Sequence, residues 1–302
     1  MADLEGARVG VIGGSGLYSI PGLSQVEERA IPTPFGAPSD QLRLGELEGV
    51  ETVFLARHGR HHQLLPSEVP YRANIWAMRS LGVRWLISLS AVGSLQGHLH
   101  PRDMVVPDQF IDRTRQRPSS FFGNGCVAHV SLAEPFCPQL SALLADAAEK
   151  GLPKGQKLHR GGTYLCMEGP AFSTQAESKL YRSWGCSVIG MTNHTEARLA
   201  REAELAYASL SMVTDFDCWH EDHDAVSVEM VISNLQANAS ATEPILSGLM
   251  QQLKQKPPAS TAHTALANAL ITPKDQVPAE TRSKLDLFTS PYWGSFDQAS
   301  IS

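Results

Sequence analysis

Positive charge is the first thing this sequence is short of: 25 lysines and arginines face 31 aspartates and glutamates, for a formal charge of −6. That balance supplies no basic field of the kind that draws a protein onto nucleic acid, so an anionic partner has to be small and held in a local pocket. Cysteine is also sparse. Cys126, Cys137, Cys166, Cys186 and Cys218 are odd in number, widely spaced and never arranged as Cys-x-x-Cys, which argues against a disulfide framework or a zinc site and for reduced thiols. No apolar run reaches membrane length, and two acidic residues stand in the opening MADLEGARVGVIGG where a signal peptide would carry positive charge. The expectation is a soluble cytoplasmic protein that binds no metal and has neither nucleic acid nor membrane as a partner.

What is present is apolar material in short, spaced blocks. With 302 residues, 42% of them hydrophobic, the chain can bury a sizeable core. The runs at 8–12, 53–56, 85–89, 104–107, 187–190 and 205–214 read as buried strands. Between them, the patterns at 71–81, 138–150, 173–184, 195–204 and 228–253 read as helices, the last with apolar residues three and four apart. Strands alternating with helices predict a single α/β domain over 1–253 around a largely buried sheet, and no internal repeat is visible. Past Lys254 the composition turns to Pro, Ala, Ser and Thr. Residues 254–302 are expected to form a partly extended C-terminal extension outside the core, with a short helix near 264–271, serving as a subunit-docking arm.

Residues able to carry chemistry collect where these strands end. Gly13-Gly14-Ser15-Gly16 follows the first strand, and its backbone N–H groups and the Ser15 hydroxyl could converge on an anion. It has no Walker lysine and lacks the dinucleotide glycine spacing, so an ordinary tight turn is an equal reading. Arg57-His58-Gly59-Arg60-His61-His62 closes the next strand. Arg57 with His58 suits a phosphate through charge-assisted hydrogen bonds, and a solvated basic loop is the alternative. Ser90-Ala91-Val92-Gly93-Ser94 and Met191-Thr192-Asn193-His194-Thr195-Glu196 set more hydroxyls at strand termini, where ligands of open α/β sheets gather. Thr195 and Glu196 also read as helix-cap residues. Met167-Glu168-Gly169-Pro170-Ala171-Phe172-Ser173 offers Phe172 either to a planar base or to the core. His220 and His223, beside Glu221 and Asp222, read as a polar surface turn.

The sharpest local feature is Thr214-Asp215-Phe216-Asp217-Cys218-Trp219. At strand spacing its two carboxylates face one side. Two acids held close disfavour joint ionisation, which raises one pKa and makes that group a proton donor; capping or surface pairing is the other reading.

Taken in order, VGVIGGSGL at 9–17, TPFGAPSD at 33–40, LARHGR at 55–60, PYRANIWAMRSLG at 70–82, SAVGSL at 90–95, DQFIDRT at 108–114, AEPFCP at 133–138, MEGPAFST at 167–174, GMT at 190–192 and TDFDCW at 214–219 resemble the trimeric nucleoside phosphorylase family. The resemblance implies one α/β domain with a central mixed, partly barrel-like sheet flanked by helices, assembled as a homotrimer. On matching positions it assigns Ser15, Arg57, His58, Ser90, Ala91 and Thr192 to phosphate and the Met191 backbone to the ribose hydroxyls. It assigns Phe172 to packing on the base, and Asp215 and Asp217 to base recognition and catalysis. Ser173 and Val228 fall where the family shapes the pocket for a 5′ substituent, and His129 where a histidine reaches a neighbour's site. The implied reaction is phosphorolysis of an adenine thionucleoside to adenine and a ribose 1-phosphate, with inorganic phosphate as co-substrate and no cofactor.

Asn193 and His194 depart from the family pattern beside the sugar and phosphate contacts, while Ser15 and Ser90 replace common threonines and keep the hydroxyl. Three rival readings have distinct marks. A phosphorylase of 6-oxopurines would have asparagine or a non-acidic turn in place of the Asp pair. A hydrolytic nucleosidase would not need the Arg57-His58 clamp, and a non-catalytic nucleotide-binding module would use the glycine turn alone.

Overall fold

The apolar blocks become strands close to where the sequence puts them. The computed structural model describes residues 6–220 and 228–296, and Glu221, Asp222 and His223 of the expected surface turn lie outside the described residues. In chain order β1 (Arg8–Gly13), β2 (Ser24–Arg29), β3 (Leu42–Leu47) and β4 (Val50–Ala56) precede α1 (Tyr71–Ser80). Next come β5 (Val83–Ser94), β6 (Met104–Val106), β7 (Gln109–Arg113), α2 (Pro138–Gly151), β8 (Leu158–Arg160) and β9 (Thr163–Met167). The remainder is α3 (Gln175–Ser183), β10 (Val188–Gly190), α4 (Asn193–Glu202), β11 (Ala206–Asp215), α5 (Val228–Gln255) and α6 (Ala279–Trp293). β2 has no apolar run to betray it: it is an edge strand, exposed along its whole length, and its charged side chains blunt that edge.

The strands form one mixed sheet that branches at β5. Over residues 85–89, β5 lies parallel between β1 and β11. Past Leu89 it loses β1, and at Gly93 and Ser94 the antiparallel strand β10 takes over the same edge. The C-terminal ends of β1 and β10 therefore point at each other along β5, with Ser90, Ala91 and Val92 in the gap. Period-two alternation sorts the side chains to two faces. Val9, Val11, Ile87, Leu89 and Leu210 pack with Leu144 of α2 and Ile245 and Leu249 of α5, while Ile12, Val53, Leu55 and Leu86 pack with Ile75 and Met78 of α1 and Ala200 of α4.

The segment past Lys254 corrects the expectation that it stays outside the core. Two short 3-10 turns, Thr261–Thr264 and Lys274–Gln276, lead to α6, and Leu266, Ala269, Val277, Leu285 and Phe288 are buried in the α1/α4 layer. Arg84 and His263 each donate to the other's backbone carbonyl, at 2.9 and 3.1 Å, and the Tyr292 hydroxyl donates to the Glu204 carboxylate. The composition hid this because α6 carries no clear apolar stripe and contains Pro291. Phe288 lies with its ring centroid 4.6 Å from that of Phe121. Phe288→Ala should cost about 3 kcal/mol or more of stability, read as a lower denaturant midpoint; an unchanged midpoint would make the tail a loosely attached arm.

Candidate active site

A cavity of about 310 Å³ opens where β1 and β10 face each other. Ser15, Arg57, His58, Ser90, Ala91, Met191, Thr192, Phe172, Asp215 and Asp217 all line it, so residues scattered over 200 positions of sequence come together as expected. Three expected residues stand apart. Ser173 lies behind the wall, its carbonyl accepting from the Cys218 thiol at 3.2 Å. His129 is exposed away from the cavity, with its N–H bonded to the Ala269 carbonyl at 2.9 Å. Val228 opens α5, and its side chain lies outside the described residues.

One end of the cavity gathers hydrogen-bond donors and a buried cation. The N–H of Gly14 bonds to the Leu89 carbonyl at 2.9 Å, and the N–H of Arg57 bonds to Gly13 at 2.9 Å, pinning both strand-end turns to the sheet. Gly14 has to be glycine, since a Cβ there would come 2.7 Å from Arg57 Nη1 and 2.8 Å from the Leu89 carbonyl. Arg57 is 1% exposed. Its Nε and Nη2 grip the Glu196 carboxylate, Nη2 also donates to Ser88 Oγ at 2.7 Å, and Nη1 donates to the Leu89 carbonyl at 3.1 Å. Four of the guanidinium's five N–H groups are thus engaged, leaving one Nη1–H without a partner among the described residues on a side chain that lines the cavity. Burial works against its charge, but Glu196 outweighs that and holds the Arg57 pKa above the usual arginine value.

Glu196 is the functional residue that the sequence reading missed. It reads as a cap residue, yet α4 begins at Asn193 with Thr192 as its N-cap, and Glu196 is buried, binding Arg57 and accepting from the Tyr207 hydroxyl at 2.9 Å. Thr192 caps without using its side chain, so its hydroxyl is left to the cavity at the positive end of the helix. Ser90 Oγ and the neighbouring Tyr164 hydroxyl are both buried, and neither meets hydrogen-bond geometry with any described group. Asn193 and His194 do not line the cavity. Asn193 bonds to Ser209 and to Ser88, behind Arg57, and His194 lies 3.2 Å from Asp112 against the Phe110 ring.

His58 behaves differently from the charged phosphate ligand expected of it. Its Nδ1 lies 2.8 Å from the Leu64 carbonyl, which can only accept, so Nδ1 carries the proton. Burial and the adjacent Arg57 push its pKa down to about 4. The ring is therefore neutral, and its Nε2 is an acceptor.

The opposite end holds the two acids. Asp215 Oδ1 accepts from the Asp217 N–H at 2.8 Å, and Asp215 Oδ2 lies 2.7 Å from the Thr214 hydroxyl, which is also 3.2 Å from the Val92 carbonyl. Asp217 Oδ2 is buried near the hydroxyls of Ser173 and Ser178 without a hydrogen bond among the described residues. Burial pushes both carboxyl pKa values up, only partly offset by local donors. Phe172 is 48% exposed and so is not a core residue. Among the described residues no cluster of His, Cys, Asp or Glu is placed to hold a metal, and no helix is long and apolar enough to cross a membrane.

Comparison with known proteins fits this geometry. Residues 8–251 match the model of the phosphorylase superfamily. The S-methyl-5′-thioadenosine phosphorylase of Prochlorococcus marinus is 63% identical over 98% of this chain and 94% of its own length. That of Thermosynechococcus vestitus is 59% identical over 95% and 99%. Among solved structures, a methylthioadenosine phosphorylase from an Antarctic soil metagenomic library superposes with a TM-score of 0.89 at 51% identity, covering 93% of this chain and 98% of that one. The Schistosoma mansoni methylthioadenosine phosphorylase in complex with adenine gives 0.78 at 37%, covering 83% and 93%. With a match over most of its length and relatives this similar from end to end, the chain belongs to the phosphorylase superfamily, among the S-methyl-5′-thioadenosine phosphorylases.

Proposed function

We propose that this protein is a pentosyltransferase that splits S-methyl-5′-thioadenosine with inorganic phosphate, giving adenine and 5-methylthioribose 1-phosphate. The observation that carries the reading is the polarity of the cavity: an ion-paired arginine at one end, two buried acids with raised pKa values at the other, and Met191 between them. Phosphate belongs at the first end, against Arg57, the Ser15, Ser90 and Thr192 hydroxyls and the Ala91 backbone. Neutral His58 suits hydrogen phosphate, whose single O–H can donate to Nε2. The purine belongs beside Phe172, with the ribose against the Met191 backbone.

A phosphate oxygen then attacks the anomeric carbon as the bond to the purine breaks, and its negative charge stabilises the cationic sugar. The bonding pair leaves with the purine, which needs a proton. Asp215 supplies it on this reading: when protonated it can donate to Thr214 Oγ1, and Thr214 can donate to Val92, which supports an acid form held without conflict. Asp217, ionised, accepts from the 6-amino group. A 6-oxopurine would set two acceptors against each other there. The methylthio group asks for no hydrogen bond, in keeping with the apolar residue type, Val228, that the family resemblance assigns to the 5′ substituent together with Ser173. His129 would reach a neighbour's cavity in a homotrimer in the cytoplasm, and neither metal nor organic cofactor takes part.

The primary test is adenine release from S-methyl-5′-thioadenosine with and without phosphate: release only with phosphate is expected, and phosphate-independent release would indicate a hydrolase. Asp217→Asn should lower kcat/KM for the adenine substrate about 100-fold and raise relative activity on the 6-oxo analogue; an unchanged preference in a substrate panel would remove Asp217 as the reader of the amino group. Glu196→Gln should raise the KM for phosphate about tenfold by loosening Arg57, and Arg57→Ala should raise it further. Unaltered phosphate kinetics in both would place the anion elsewhere.

A further inference from the structure

Arg117 belongs to none of the motifs that mark the site and does not line the cavity, yet its buried guanidinium ties two of the cavity's walls together. Nε donates to Glu168 Oε1 at 3.0 Å, and Nη2 donates to the backbone carbonyls of Glu168 at 2.6 Å and Met167 at 3.4 Å. Nη1 donates to the Met191 carbonyl and, at 3.2 Å, to the Tyr71 hydroxyl. The first set of partners opens the connection from β9 to α3 that carries Phe172, and Met191 lies in the connection from β10 to α4. Glu168 is itself fixed, its Oε2 accepting from the N–H groups of Arg115 and, at 3.2 Å, Gln116. Burial works to raise the Glu168 pKa, but these donors and the guanidinium outweigh it and hold the carboxyl below its ordinary value.

Met191 is confined from its other side as well. Its sulfur packs on Gly169, which has φ +67°, and a Cβ on that glycine would come 2.5 Å from the Met191 sulfur. The two connections thus touch through a methionine and a glycine and are bound together from behind by one planar fork. Lysine, a point donor on a flexible stem, cannot reach three carbonyls and a carboxylate together.

We propose that Arg117 is a positioning residue for the reaction: acting through Met191 and the β9–α3 connection, it sets where the ribose lies relative to the base, without touching either. The proposal rests on the reading above that Met191 faces the sugar and Phe172 the purine. It assigns Arg117 to the nucleoside half of the site and gives it no part in holding phosphate, which Arg57 and Glu196 anchor independently.

The test compares Arg117→Lys, which keeps the charge beside Glu168, with the milder Glu168→Gln, so that a folded variant is available should the first be unstable. In the folded variants, kcat/KM for S-methyl-5′-thioadenosine should fall about 30-fold or more while KM for phosphate stays within about twofold, as expected when reacting groups are displaced and the anion site is untouched. Phosphate KM rising in parallel, or no loss on the nucleoside side, would overturn the assignment. A second readout needs no turnover: with methyl-labelled methionine, the Met191 resonance should shift and sharpen toward a mobile side chain in either variant. A Met191 signal unmoved in both would also overturn it. Should the unaltered protein release no adenine, the functional reading fails by itself, and the Met191 signal still decides whether Arg117 positions that wall.

Discussion

The buried pair of Arg57 and Glu196 is the constraint around which the site is arranged. Taking two opposite charges out of water costs several kcal/mol per ion before their attraction is counted, so such a pair persists only where most of the remaining hydrogen bonds are made. Here Ser88 and the Leu89 carbonyl take two more of the arginine's N–H groups, and the Tyr207 hydroxyl donates to the carboxylate. Those partners come from the end of β4, from β5, from α4 and from β11, so satisfying one ion pair fixes the relative placement of four elements. An apolar substitute of equal volume could hold the same elements. What it could not provide is a permanently charged guanidinium in the lining of the cavity.

That rim exists because β5 changes partners. Had β1 continued beyond Gly13, or β10 beyond Gly190, the backbone of residues 90–92 would be paired and covered. The interruption leaves β5 its other neighbour, β11, along the same stretch, and β11 delivers Asp215 and then Asp217 to the far end of the opening. One strand junction therefore sets both the anion end and the acid end of the cavity. It also keeps the cation of Arg57 apart from carboxyls whose pKa values it would otherwise lower.

Local motifs made much of this legible. A glycine turn, a basic pair, a small-residue turn and an acidic pair each end an apolar run, and the strand ends converge in an α/β sheet, so Ser15, Arg57, Ser90 and Asp215 could be brought together from sequence. Glu196 and Arg117 could not. Glu196 meets its partner across 139 residues, and its position in the first turn of a helix already has an adequate local explanation in capping. Arg117 stands in an arginine-rich stretch that looks solvated, and only the fold shows its donors turned onto backbone carbonyls, which leave no trace in sequence. The core role of α6 was hidden for a related reason. Its few apolar residues are spread among polar ones and a proline, and what recruits them is the uncovered surface of α1, α4 and Phe121.

The two acids show how a static arrangement can acquire direction from its substrate. With the cavity open, burial raises both carboxyl pKa values, and Asp215 alone has local donors to both oxygens. On the reading proposed above, an amino N–H donating to Asp217 would stabilise the ionised form of that residue, as a hydrogen bond to a charged acceptor does. That charge, two residues along from Asp215, would then disfavour ionisation of its neighbour and favour the acid form that the leaving purine needs. A ring with an acceptor at the 6-position would not start this sequence, and on that reading recognition of the base and readiness to protonate it would be one event.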